Sequence, residues 1–327
     1  MQEQRVRFAG QVLLALAIVA TFVIFLVILV GFLDTITGSA LGCGRVWPLC
    51  NGRFVPGPTL QSLVEYTHRA LASIGGTLTM VAAVWAIFRY RRVLEIVWLA
   101  SIAFIFIVVQ SAVGAIAIFN NESAPLLATH FTFALLAFGG IFLLTVLIRQ
   151  IEQLDARARE TSTGPRALTT WAWIAFVYTV LLIYWGTLVA HLNAGMACSG
   201  WPLCNGEVWP GFHGLVGIIF AHRLGALAAG AIITGFWLAA RHRRSVRPDI
   251  YRAATGSLVL VCAQIASGAY LVLSHISVTA DLIHVSLATL LFVQLAYGAL
   301  LTLRASPGLV RALTDRRNRA AFRHKLS

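Results

Sequence analysis

The sequence predicts an all-α integral membrane protein of eight transmembrane helices, arranged as two fused four-helix bundles related by a pseudo-two-fold axis along the membrane normal. Three observations carry that expectation. Hydrophobic residues make up 59% of the 327 and charged residues only 11%, a balance foreign to soluble globular chains. Eight apolar stretches are each long enough to cross a ~30 Å hydrocarbon core as a helix of ~20 residues. Finally, Trp47-Pro48-Leu49-Cys50-Asn51-Gly52 recurs letter for letter as Trp201-Pro202-Leu203-Cys204-Asn205-Gly206, an offset of 154 residues. The same offset carries His68-Arg69 onto His222-Arg223, Gln110 onto Gln264, Gly114-Ala115 onto Gly268-Ala269 and His130 onto His284. This period is too long for a solenoid unit and marks a bundle fused to its own copy.

The predicted spans are residues 10–32, 62–88, 93–119, 125–148, 170–190, 213–240, 252–274 and 279–303. The first follows Arg5 and Arg7 without a small-residue cleavage site, so it reads as a retained helix and not a signal peptide. The fourth opens at Pro125, a residue suited to a first helical position. A polar segment containing Glu160-Thr161-Ser162-Thr163-Gly164-Pro165 parts the fourth span from the fifth. The domain reading is therefore an N-terminal half over 1–150, a linker over 151–169, and a C-terminal half over 170–327 ending in a basic tail. Short connections within each half favour antiparallel neighbours. Four crossings return the chain to its starting side, which makes the halves parallel repeats.

Basic residues orient the bundle. Of the 25 Lys and Arg, all but Arg45, Arg53, Arg69 and Arg223 fall in the two tails and in segments 89–92, 149–166 and 241–252. By the positive-inside rule both termini and the linker are cytoplasmic. The formal charge of +13 then reads as contact with membrane lipid headgroups, and the dispersal of these residues along membrane edges argues against a nucleic-acid partner.

His68 and His130 are expected about six and five residues into the second and fourth helices, roughly 8 to 9 Å below the outer boundary at 1.5 Å per residue. His222 and His284 repeat that placement in the sixth and eighth. One intramembrane histidine is most simply a hydrogen-bonded contact between helices, but two duplicated pairs at matched depth are what axial ligation of haem iron requires. Zinc fits less well, because two histidines per half without a matched carboxylate or thiolate leave its coordination incomplete. His191, His213 and His275 fall in or beside outer loops, and His242 and His324 accompany cytoplasmic arginines. None has a histidine counterpart, so they read as solvated or interfacial, with His213 also placed to line an entrance to the site.

Cys43 and Cys50 share one outer loop, and Cys198 and Cys204 share its copy. Facing an oxidising compartment, the pairs Cys43–Cys50 and Cys198–Cys204 read as disulfides rather than metal sites, either as loop staples or as redox-active dithiols. Cys262 reads as a small buried apolar residue. Glu65 precedes His68 by three positions and shares nearly the same helix face, whereas its counterpart is Ile219. Two readings stay open. Ser62-Leu63-Val64-Glu65 matches a capping box, and a carboxylate beside a candidate iron ligand is also placed to move a proton.

Gly42-Cys43, Trp47-Pro48-Leu49-Cys50, Glu65-Tyr66-Thr67-His68-Arg69, His130, His222-Arg223 and His284, spread in this order over eight helices, resemble haem A synthases of the cysteine-containing bacterial type. The resemblance covers residues 10 to 303. It implies a haem-dependent membrane oxidoreductase that converts the C8 methyl of haem O to a formyl group by successive hydroxylations, for cytochrome c oxidase assembly. It further implies substrate haem at His68 and His130, a haem b cofactor at His222 and His284, and Glu65 as the required acid. Arg69 and Arg223 become candidate contacts for haem propionates, since guanidinium binds carboxylates bidentately. The implied setting is multi-pass in a bacterial plasma membrane, with an unidentified electron donor and a complex with haem O synthase as family-level expectations. The competing class is a di-haem b electron-transfer cytochrome, which needs four histidines but not Glu65. A transporter with parallel repeats fits poorly, because the polar residues gather near the outer side and not at the midplane.

Overall fold

The computed structural model describes residues 2–46, 49–119, 123–153, 166–303 and 309–310. Helix α1 (Gln2–Ile36), α2 (Leu60–Arg89), α3 (Leu94–Phe119) and α4 (Ala124–Gln153) precede α5 (Arg166–His191), α6 (Gly214–Arg241), α7 (Pro248–Leu273) and α8 (Val278–Thr302). All eight are long and apolar enough to span a membrane, and the described residues include no strand. Large apolar side chains such as Phe22, Phe88, Leu181 and Val259 stay exposed within the spans, as expected where the solvent is lipid. Trp47, Pro48, most of the linker (154–165), His324 and nearly all of the basic C-terminal tail lie outside the described residues.

Within each half the helices form a closed ring of neighbours. In the first, α1 packs on α2 and α4, and α3 on α2 and α4. In the second, α5 packs on α6 and α8, and α7 on α6 and α8. The histidine helices α2 and α4 therefore lie diagonally across one ring, and α6 and α8 across the other. The halves meet where α4 contacts α5 and α8 and where α1 contacts α8. An apolar cluster of Ile24, Ile28, Phe32, Phe131, Leu135, Val285 and Phe292 fills that seam. Small residues let backbones approach: Cβ on Gly139 would fall 2.8 Å from the Phe292 ring. The helix ends opposite the disulfide loops are tied by polar contacts, with Arg247 forked onto Asp249 at 3.0 and 2.8 Å and Glu152 pairing with Arg89 at 3.3 Å and accepting from the Tyr90 hydroxyl at 2.5 Å.

Helix α2 begins earlier than expected. Thr59 is its cap, and Thr59 Oγ1 accepts the Ser62 N–H at 3.2 Å. The capping-box reading of Ser62 and Glu65 is thus displaced by one turn, because Thr59 already satisfies the open end of the helix. Cys262 also departs from expectation. It is free and exposed on α7, so it faces lipid instead of the bundle interior.

The two disulfide-bearing loops are built on one plan. Cys43 bonds to Cys50 and Cys198 to Cys204, and all four cysteines are buried. Asn51 and Asn205 both take left-handed backbone, at φ 50° and 53°, and their amides donate to Gly42 and Ala197 carbonyls at 3.0 and 3.1 Å. The second loop is one residue shorter between its cysteines. The repeat therefore runs at an offset of 155 up to the first cysteine of each loop and 154 after the second. Gly38 and Asn193, both left-handed, obey the longer offset.

Candidate functional site

Each of the four duplicated histidines leans on a glycine of the helix before it. A Cβ on Gly31 of α1 would stand 2.8 Å from Cε1 of His68, and one on Gly114 of α3 would stand 2.7 Å from Cε1 of His130. The copy repeats this: Gly186 of α5 against His222 at 2.7 Å, and Gly268 of α7 against His284 at 3.2 Å. Glycine alone admits an imidazole edge this close to a neighbouring backbone. The rings of His68 and His130 come within electrostatic range of each other, as do those of His222 and His284. The structure therefore assembles both predicted pairs, each across a bundle diagonal.

The ring nitrogens differ in what they meet. His130 Nδ1 donates to the Gln110 carbonyl at 2.8 Å, which leaves the Nε2 lone pair free. Ser267 Oγ lies 2.9 Å from His284 Nδ1. The Gln264 amide sits 3.1 Å from His284 Nε2 while its Oε1 is buried without a partner. In the first half Ser111 draws the equivalent Gln110 amide aside, at 3.2 Å. His222 Nδ1 is buried and unpartnered among the described residues, and His68 Nδ1 lies near the Val27 carbonyl without completing a hydrogen bond. Partly buried imidazoles in diagonal pairs, each seated on a glycine, are a donor set that could hold a haem iron.

Glu65 is 3% exposed. Its Oε2 accepts the Cys43 N–H at 2.5 Å, and Oε1 pairs with the Arg69 guanidinium one turn on. Arg69 also donates to the Val46 and Leu49 carbonyls, at 2.7 and 3.1 Å. Arg223 does the same for its loop, reaching the carbonyls of Cys198 at 2.7 Å and Leu203 at 3.3 Å. Both arginines are thus clamps on the stapled loops, with further N–H donors left over.

Two residues are not picked out as site candidates in the sequence: His191 reads there as solvated or interfacial, and Asp281 is passed over. His191 ends α5 as a half-buried side chain within electrostatic range of His130, so the second half reaches the first-half pair. No motif marks it, because its counterpart is Ile36. Asp281, 7% exposed, precedes His284 as Glu65 precedes His68. The signal was present in its spacing, but its counterpart is Leu127, so a search for matched positions passes over it. Unlike Glu65, Asp281 lies in the first turn of its helix, where the N-terminus favours negative charge. His213 is the exposed N-cap residue of α6, His242 caps its other end, and His275 lies exposed in the turn after α7.

Eight membrane-length helices in two four-helix rings, each with a histidine pair set across its diagonal, define a polytopic membrane protein. The pattern of the COX15-CtaA family, described as cytochrome oxidase assembly protein, matches residues 59–296, and the chain belongs to that family. It is similar to proteins named heme A synthase. That of Symbiobacterium thermophilum is 38% identical over 88% of this chain and 95% of its own. That of Geobacillus kaustophilus is 35% identical over 92% and 95%, and that of Alkalihalophilus pseudofirmus 31% over 89% and 97%.

Proposed function

We propose that this chain is a haem A synthase, an oxidoreductase that converts the C8 methyl of haem O to a formyl group for cytochrome oxidase assembly. Its family and the shared name of its relatives support the activity. The single observation that carries the division of labour is Glu65, a buried carboxylate one turn from His68 and tied to the outer loop. Its position in the second half is Ile219. On this reading residues 1–150 bind the substrate and 170–327 hold a resident haem b, the halves being related by a pseudo-two-fold axis.

His68 and His130 would hold the substrate iron and so fix the position of the ring in the half that carries Glu65. Seating on Gly31 and Gly114 limits ring rotation, and fixed orientation is a large part of what a site contributes. Each hydroxylation would take one oxygen atom from dioxygen, with two electrons and two protons carrying the other to water; Glu65 would move protons at its carboxylate oxygens as the methyl becomes a carbinol and then a hydrated aldehyde that loses water. Arg69 keeps that carboxylate paired and closes the loop against bulk water. His222 and His284 would hold haem b, which would supply electron transfer. Spare N–H donors of Arg69 and Arg223 would be the groups to pair with haem propionates. The protein lies in a bacterial plasma membrane with both termini cytoplasmic, draws on an electron donor, and docks with haem O synthase to receive an apolar substrate.

The test is to supply the membrane-embedded protein with haem O and to separate the extracted pigments by chromatography. Haem A beside retained haem b is the expected result. Two retained b haems with no haem A would overturn the synthase reading in favour of a di-haem electron-transfer cytochrome, the class that the symmetric histidine pairs alone would favour.

A further inference from the structure

The two halves hold their last histidine by different means. In the first, the ring of His130 bonds directly to a backbone carbonyl, that of Gln110. In the second, the matching carbonyl of Gln264 accepts the Ser267 hydroxyl at 2.8 Å, and Ser267 Oγ in turn faces His284 Nδ1 at 2.9 Å. A hydroxyl carries one hydrogen. Donated to a carbonyl, which can only accept, it leaves Oγ to accept from the ring. With the Gln264 amide donating to Nε2 at 3.1 Å, this places the His284 proton on Nδ1 and its lone pair on Nε2, the nitrogen that a metal would take in the amide's stead. Donation to the carbonyl also polarises Oγ and makes it a better acceptor. Ser267 is 7% exposed, and the residue at its position in the first half is Val113. Burial leaves little room for water to take over the hydroxyl's place.

We propose that Ser267 is a positioning residue for a haem held by His284, setting that iron's reduction potential through the imidazole and distinguishing the resident site from the substrate site. The inference rests on the reading of the second half as a haem b site. A ligand imidazole whose N–H is hydrogen-bonded is more basic, donates more strongly and favours the oxidised metal. Removing the acceptor therefore raises the potential.

The experiment is an optical redox titration of haem b in the purified full-length protein, with the low-spin electron paramagnetic resonance signal followed in parallel. Ser267→Ala and Ser267→Val shift the midpoint positive, and Ser267→Thr, which keeps the hydroxyl, stays at the unmodified value. Unchanged midpoints in the Ala and Val proteins with haem b bound, or a Thr shift as large as that of Ala, would overturn the proposal. Failure of the underlying reading looks different: His284→Ala would then leave the haem b spectrum intact. Should Ser267→Val fail to insert, Ser267→Ala adds no bulk and makes the same comparison.

Discussion

The Glu65 carboxylate accepts the backbone N–H of Cys43, so the acid of the first half and the disulfide above it form one hydrogen-bonded unit. Arg69 closes the unit by bridging Glu65 and two carbonyls between the cysteines. A change at any corner is felt at the carboxylate.

Glu65→Gln keeps an acceptor for Cys43 and removes the charge that pairs with Arg69. Because Thr59 caps α2, the substitution spares the helix start, and haem b content stays unchanged. Haem A formation should fall by about 10²-fold or more, the scale of a lost general acid–base group. Pigment analysis checks both numbers in one extract. Near-normal haem A would remove Glu65 from the chemistry.

Substituting the histidines separates the halves. His222→Ala or His284→Ala should remove the low-spin haem b spectrum, while His68→Ala or His130→Ala should abolish haem A with haem b retained. Difference spectra of purified variants read the first effect and pigment chromatography the second. If all four proteins keep both bound haem and product, axial ligation is wrong.

The glycine seats predict a graded series. An alanine at Gly186 puts Cβ 2.7 Å from the His222 ring, against 3.2 Å for Gly268 and His284. Gly186→Ala should cost about 1–3 kcal/mol of local packing and weaken haem b retention, with Gly268→Ala clearly milder. Haem content per protein after detergent washing gives the order. The reverse ranking would mean that the rings do not depend on these contacts.

Non-reducing mass mapping should find Cys43 joined to Cys50, Cys198 to Cys204, and Cys262 free. Each small loop yields about 2–3 kcal/mol in the chain-entropy account. Loss of the second pair should lower thermal stability and leave haem A formation largely intact. Loss of the first frees the Cys43 segment from Glu65, so activity should fall further than stability does. Equal inactivation by either loss would contradict this asymmetry.

Helix number and order were legible because runs of some twenty apolar residues have few other solutions. Their ends were less so. Helix α7 starts at Pro248 instead of residue 252, as proline suits the first turn and Arg247 holds Asp249 there. The histidine pairs were legible as repeated letters. Their seats were not, because contact between neighbouring helices leaves no fixed spacing in one chain. Gly31 and Gly186 escaped for a further reason: they are 155 residues apart, and a search at 154 passes them by. Ser267 and Asp281 mark where the copies diverged, and comparison for sameness overlooks both.

The single-residue difference in length lies inside the disulfide loop, between Cys198 and Cys204, while the glycine and histidine contacts on either side persist. That loop absorbs changes of length without passing them to the helices. For protein engineering, the stretch between these cysteines is the position of choice for a tag, a spectroscopic label or an affinity handle at this end of the bundle. The chain has already made one such edit there and kept its glycine–histidine contacts in register.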